Sequence, residues 1–354
     1  MKLGGVGTVL AAMAPRVRAA YDDMAVWRGF RFAYHVELPP EGGPARLWLP
    51  MPYGEDSIFQ RSMGAVWNGK ADKAVFQKMA GGGTLFYAEW RGKGPRSVTV
   101  SAIVKTAERV PDLAHAQGNS SVPPDAQPFL KASRQFPTDG AVRSKAQAIT
   151  KGANGNLEKA RAIYEWVLEN ARFDAAAWGC QQATVRGMLE SGPVAGRSAD
   201  INGLFVALCR AAGVPARLQY GIRVDESELS KSLGAYGDVS RAQHCIAEFF
   251  VSGAGWVPAD PAAVAEAMAA DNLAGGDAKV ALLRTKLFGT SEMNWFAFNH
   301  AEEVVLAPDA AAGKLPFFAL PYGEIDRKPR DNSDPANFAY RIESRELVGT
   351  GGKF

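Results

Sequence analysis

Cysteine and histidine are scarce in these 354 residues, with three of the first and four of the second. Cys180, Cys209 and Cys245 are odd in number and irregular in spacing, which excludes a disulfide framework and a Cys-type zinc pattern. A single bridge stays open, without an assignment. His35, His115, His244 and His300 contain no i, i+4 pair, so a helix-borne zinc motif is excluded as well. No block of five or more Lys/Arg residues occurs and the net charge is only +3, so nothing electrostatic points to nucleic acid. No apolar run approaches the roughly 20 residues of a membrane span. What remains is an ordinary globular composition, 47% hydrophobic and 22% charged. The length suggests about two domains of roughly 100–200 residues each. No cofactor and no metal is expected, although the acidic loops leave calcium open.

Residues 1–24 read as an export leader. Lys2 precedes a short apolar stretch, LGGVGTVLAAMA, and Val17-Arg18-Ala19 offers small residues where a cleavage site needs them. The segment resembles the second half of a twin-arginine signal without its arginine pair. A periplasmic or otherwise exported location is therefore the expectation. A frayed N-terminal helix on a cytoplasmic protein is the alternative.

Residues 25–108 alternate or are rich in β-branched and aromatic residues: FRFAYHVELP, ARLWLPMP, AVFQKMA, TLFYAEWRG and RSVTVSAIVKT. Turn residues separate them, including Trp67-Asn68-Gly69-Lys70 and Ala80-Gly81-Gly82-Gly83. This predicts a small antiparallel sandwich. Residues 109–139 are proline-rich and aperiodic, and read as a linker ordered against its neighbours. Residues 140–290 carry helical periods at 141–153, 157–171 (with Asn156 as cap), 183–191 and 198–213, where Gly213 is the stop. Strands follow at 216–224, 242–251 and 255–261. A polar, glycine-containing loop at 225–241 suits either a mobile flap over a cleft or a passive surface loop. After a helix-like stretch (261–287), residues 291–354 supply further strands that pack back on the core.

One order of residues carries chemistry. Ser198 stands at a helix start, His244 on a strand, and Asp260 at the end of the next strand. A nucleophile at a helix N-terminus meets unpaired N–H groups and the positive end of the helix dipole. A histidine can share its proton, and an aspartate can orient the imidazole. The same N–H groups can hold an oxyanion. Each residue also has an ordinary reading: Ser198 as an N-cap, His244 as a bonded core histidine, Asp260 before Pro261 as a turn opener.

The blocks GRSADINGLFVALCRAAGVPARLQYGIRV, AQHCIAEFF and GWVPADPA, in that order, resemble the transglutaminase-like superfamily of the papain-type cysteine-triad fold. The whole chain is similar to bacterial exported members with a β-rich N-terminal domain and NWFAFNHAEEV after the triad. The resemblance implies an α+β fold. A helix bundle packs on an antiparallel sheet, preceded by a small β-sandwich-like domain. It implies a cysteine-type peptidase, amidase or acyltransferase acting on peptide or isopeptide amides, with a peptide or protein as partner. Carried over by motif, Ser198 takes the nucleophile position, His244 the base and Asp260 the orienter.

The departure is Ser198, where the family has cysteine. A hydroxyl is a far weaker acid than a thiol, so the helix dipole cannot generate the anion. The expectation is a weak or silent site, whether by natural drift, deliberate replacement or a true serine variant. The alternative is a non-catalytic peptide-binding or assembly module of the cell envelope. Trp178 and Gln181 are candidate oxyanion or substrate contacts. Cys180, just before a helix, is a rival nucleophile. Glu248 lies on the same strand side as His244, as a supporting partner or a solvated carboxylate. Cys209 and Cys245 read as packing residues.

Overall fold

The computed structural model describes residues 26–55, 57–79, 82–116, 122–176, 184–190 and 194–347. The leader-like segment at 1–24 lies outside them. The N-terminal strands are β1 (Trp27–Leu38), β2 (Ala45–Met51), β3 (Gln60–Gly69), β4 (Lys73–Lys78), β5 (Thr84–Trp90) and β6 (Arg96–Ala107). In β1 the even-numbered residues Phe30, Phe32, Tyr34, Val36 and Leu38 are all buried, so the period of two sets which face meets the opposite sheet.

A second unit begins with helices α1 (Gly140–Ile149) and α2 (Gly155–Asn170), strand β7 (Ala171–Phe173), helix α3 (Val185–Glu190), strand β8 (Val194–Gly196) and helix α4 (Ser198–Ala211). Strands β9 (Ala216–Arg223), β10 (Gly237–Asp238), β11 (Gln243–Val251) and β12 (Gly255–Ala259) follow. Helices α5 (Pro261–Ala270) and α6 (Ala278–Lys286) precede β13 (Trp295–Asn299), β14 (Val304–Val305), β15 (Lys314–Leu315), β16 (Tyr322–Ile325), β17 (Lys328–Pro329) and β18 (Ala339–Glu346). The fold is α+β: α4 packs on a four-stranded antiparallel sheet of order β12-β11-β9-β13. Every residue of α4 from Ser198 to Arg210 is buried. The helix is enclosed on all sides, and its polar members Ser198, Asp200, Asn202 and Arg210 are buried with its apolar ones.

The C-terminal strands divide between the two units. β13 joins the sheet under α4, whereas β18 pairs along β1 and β16 pairs along β2. The sandwich sheets thus read β10-β18-β1-β6-β3 and β17-β16-β2-β5-β4. The cores also touch, since the rings of Phe32 and Phe296 meet edge to face at 5.1 Å. The expectation that residues 291–354 pack back on the core named no partner strands, and two of those partners are open strand edges. β1 and β2 need partners for their unpaired backbone groups, and the distant strands supply them.

One local expectation is corrected, and one loop is placed. Asn156 does not cap α2; the helix starts at Gly155 behind Asn154, and Asn156 Nδ2 donates to Phe250 O at 3.0 Å. Gly155 has φ +73°, a conformation that favours glycine and turns the chain into the helix behind Asn154. The 225–241 loop is pinned on both sides. Ser230 Oγ donates to Asp271 Oδ2 at 2.9 Å, Asn294 Nδ2 to Leu233 O at 3.2 Å, and β10 pairs with β18. The linker is bound to the core where described: Arg109 and Ser291 exchange backbone bonds, and Phe136 is buried against Gly203. No helix among the described residues is long and apolar enough to cross a membrane.

Candidate active site

The turn before α4 is built for close approach. Asp200 Oδ2 accepts from the Arg197 backbone N–H at 3.0 Å, which satisfies one of the free donors at the helix start. A Cβ on Gly196 would fall 2.5 Å from Asp200 Cβ, so glycine is required there. Arg197 is the cap residue and Ser198 the first helical position, so the N-cap expectation for Ser198 does not describe its role. Ser198 Oγ instead accepts from the backbone N–H of Cys245 at 3.2 Å. The helix N-terminus is thereby docked on β11 beside His244.

His244 and Asp260 meet as the motif order suggested. His244 Nε2 lies 2.6 Å from Asp260 Oδ2, both side chains buried. Asp260 is also the N-cap of α5, with Pro261 at the first helical position, and its Oδ1 accepts from Ala263 N at 3.0 Å. Asn202 Nδ2 donates to Asp260 Oδ1 at 2.9 Å and to Cys245 O at 2.7 Å, while Asn202 Oδ1 accepts from Ala262 N at 3.0 Å. Burial would raise the Asp260 carboxyl. The adjacent His244, its hydrogen bond, the Asn202 amide and the Arg223 charge outweigh burial and hold it below the ordinary range. Asn202 was missed in the sequence. The signal was there: it sits one helical turn after Ser198 on the same face, a polar residue in an apolar helix.

Arg223 is the second residue the sequence did not point out. Its Nη2 lies 3.0 Å from His244 Nδ1 and 2.7 Å from Glu266 Oε2, and Nη1 lies 3.3 Å from Ser232 O. Since a guanidinium only donates, His244 Nδ1 is the acceptor and Nε2 carries the proton toward Asp260. The indole of Trp295 covers Gly221, where a Cβ would sit 2.4 Å from the ring, and its Nε1 donates to His244 O at 3.1 Å. A cavity of about 30 Å³ lies among Arg223, His244, Asp260, Asn294 and Trp295, room for a water-sized group.

Glu248 shares the His244 side of β11 but touches neither His244 nor solvent. It is fully buried, bonded to Arg109, to Arg217 Nε at 2.6 Å and to Gln219 Nε2 at 3.0 Å. Both expectations for it, supporting partner and solvated carboxylate, give way to a buried ionic cluster. Burial would raise its carboxyl, and the two guanidiniums drive it far below the ordinary range. Arg109 also donates to Trp256 O, so the linker is fastened there. Cys209 and Cys245 are buried in the core around α4, and burial pushes the Cys209 thiol up, away from reactivity. Trp178, Cys180 and Gln181 lie outside the described residues. Among the described residues no group of three or more His, Cys, Asp and Glu side chains converges as metal ligands would.

Residues 143–261 match the family model of the transglutaminase-like superfamily. An uncharacterised protein of Haemophilus influenzae is 34% identical over 346 residues, covering 92% of this chain and 93% of that protein. The crystal structure of a candidate cysteine protease from Cytophaga hutchinsonii superposes with a TM-score of 0.57 at 16% identity, over 93% of this chain and 92% of that one.

Proposed function

The chain belongs to the transglutaminase-like superfamily, and from that premise we propose that it holds an amide-directed acyl-transfer site silenced at its nucleophile. Ser198 takes the nucleophile position, His244 the base and Asp260 the orienter. The substrate class is a peptide or isopeptide amide, with water or an amine as acceptor. The observation that carries the reading is the 2.6 Å bond between His244 and Asp260, held against the N-terminus of α4 through Ser198.

The silence follows from acidity. A free thiol has a pKa of about 8.5, and a helix N-terminus with a neighbouring imidazolium brings it into the working range. A serine hydroxyl stays protonated there and needs its proton removed during attack, a general-base contribution of about 10²–10⁴-fold. Here the Ser198 and His244 hydrogen bonds run to other partners, Cys245 N and Arg223. Positioning for attack on a carbonyl is retained, and activation is not.

A Ser198→Cys variant treated with an activated thiol-reactive ester tests the reading. Such an ester needs no acid to expel its leaving group. The expected result is an acyl adduct at position 198 in the folded chain and none at Cys209 or Cys245. No adduct there, either in this variant or in one that also carries Arg223→Gln to free the His244 ring nitrogen, would refute the acyl-transfer reading in favour of a peptide-binding module. Fluorophosphonate labelling of Ser198 in the unaltered chain, lost with His244→Ala, would show a live serine hydrolase instead.

A further inference from the structure

Both ring nitrogens of His244 are occupied. Asp260 holds Nε2 at 2.6 Å, and Arg223 approaches Nδ1 at 3.0 Å. Arg223 is 8% exposed and is itself fixed from two directions, by Glu266 at 2.7 Å and by the carbonyl of Ser232 at 3.3 Å. A guanidinium has no lone pair to offer, so it can only donate to Nδ1. In a nucleophile–imidazole site the nitrogen left free by the orienting carboxylate must receive the nucleophile's proton. That nitrogen is Nδ1.

We infer that Arg223 is a positioning residue that locks His244 out of proton exchange with residue 198, a barrier separate from the Ser198 hydroxyl. The inference rests on the acyl-transfer reading of Ser198, His244 and Asp260. It implies that exchanging Ser198 for cysteine gives a thiol beside an imidazole that cannot take its proton. The lock is tied to the 225–241 loop through Ser232, so the loop and the base share one anchor. The charged groups around the imidazole are Arg223 from β9, Asp260 and Glu266 from α5 and its cap, and Glu292 from the segment before β13.

The test is iodoacetamide alkylation of position 198, followed by peptide mass, with Cys180, Cys209 and Cys245 tracked separately. Four chains are compared at pH about 6.5, well below the free-thiol pKa. They are Ser198→Cys, the same with Arg223→Gln, and each of these with His244→Ala. With Arg223 present, His244→Ala should change the rate less than about twofold. With Arg223→Gln, His244→Ala should slow it about tenfold or more, because the freed imidazole now supports the thiolate.

Alkylation of the Ser198→Cys chain that already depends on His244, and is unmoved by Arg223→Gln, overturns the lock and leaves the acyl-transfer reading standing. Alkylation independent of His244 in all four chains overturns both. Histidine 15N shifts of the unaltered chain give a second check that reads the imidazole with Arg223 and Ser198 both in place. The His244 signal, identified by its loss in His244→Ala, should report the Nε2–H tautomer, and an Nδ1–H tautomer overturns the lock. Arg223→Lys carries its donor one atom further out than the Gln amide and should keep the block.

Discussion

Two buried charge clusters share one face of β11, four residues apart. At one end His244 joins Asp260, Arg223 and Glu266. At the other, Glu248 joins Arg109, Arg217 and Gln219. Both contain a fully enclosed carboxylate held ionised against burial. They differ in what they connect. The Glu248 cluster ties linker, sheet and the carbonyl of Trp256, and all its parts are satisfied within the fold. The His244 cluster places an imidazole, held on both ring nitrogens, beside a helix N-terminus and a small cavity. Burial and a displaced pKa therefore do not by themselves mark a reactive site. A donor–acceptor chain that passes beside a cavity and helix N–H groups is the better sign.

That contrast can be broken most directly at Glu248. Glu248→Ala leaves Arg109 and Arg217 buried without their counter-charge, and should cost about 3–5 kcal/mol. Calorimetry should record the largest fall in Tm of any change discussed here. Asp260→Asn should cost less, about 1–3 kcal/mol, since Asn202 and the α5 N–H keep a partner. It should also release His244, so the Nε2–H tautomer is no longer fixed, which histidine 15N shifts would read. Gly221→Ala drives a methyl into Trp295 and the Phe296 carbonyl, separating β9 from β13 or expelling the indole, at about 1–3 kcal/mol. A shift of tryptophan emission that is absent in a Trp295→Phe background would follow.

Acid acts on the fold through groups of both kinds. Asp260 and Glu248 have folded pKa values below their unfolded ones, so their stabilisation is present above pH about 4 and lost as pH falls through the folded values. His300 sets an earlier window. Burial, then the Arg217 charge, pushes its imidazole down to about 3, against about 6.5 when unfolded. The unfolded chain binds that proton first, so stability falls as pH drops from about 6.5 toward 3. His300→Phe should flatten Tm against pH across the upper part of that window and leave the final acid step to the carboxylates. The smallest effect is expected from Asn156→Ala, about 1 kcal/mol for one partly buried hydrogen bond to Phe250 O.

The sequence made some of this legible and hid the rest for identifiable reasons. The period-2 burial of β1 and the apolar face of α4 are local patterns, readable because each residue's neighbours set its side. Ser198, His244 and Asp260 were readable as an ordered set, and the structure brings them to one place. Arg223 and Arg109 were not, because an arginine on a strand looks the same whether it meets water or a buried acid. Their partners, Glu266 and Glu248, come from elements brought near only by folding. Asn154 and Asn156 are near-equivalent as caps by type, and the positive φ of Gly155 decided between them. The division of the last strands between two units depended on which sheet edges stood open, a property of no single segment.

The pairing of β1 with β18 has a consequence for the order in which the chain is made. Arg28 meets Glu346 across 318 positions, and on the edge of β1 that faces away from β6, Phe30 through Glu37 are matched by Glu346 through Ala339. A ribosome delivers the first of these strands long before the second. Until β18 emerges, β1 is a long bare edge, rich in aromatic residues and able to recruit any passing strand. The helical unit between them can condense early around α4, while the sandwich must wait. Slow closure over so long a separation is expected from the low probability of such encounters. Synthesis of this protein should therefore depend on shielding of its nascent N-terminal half until the final sheet is stitched shut.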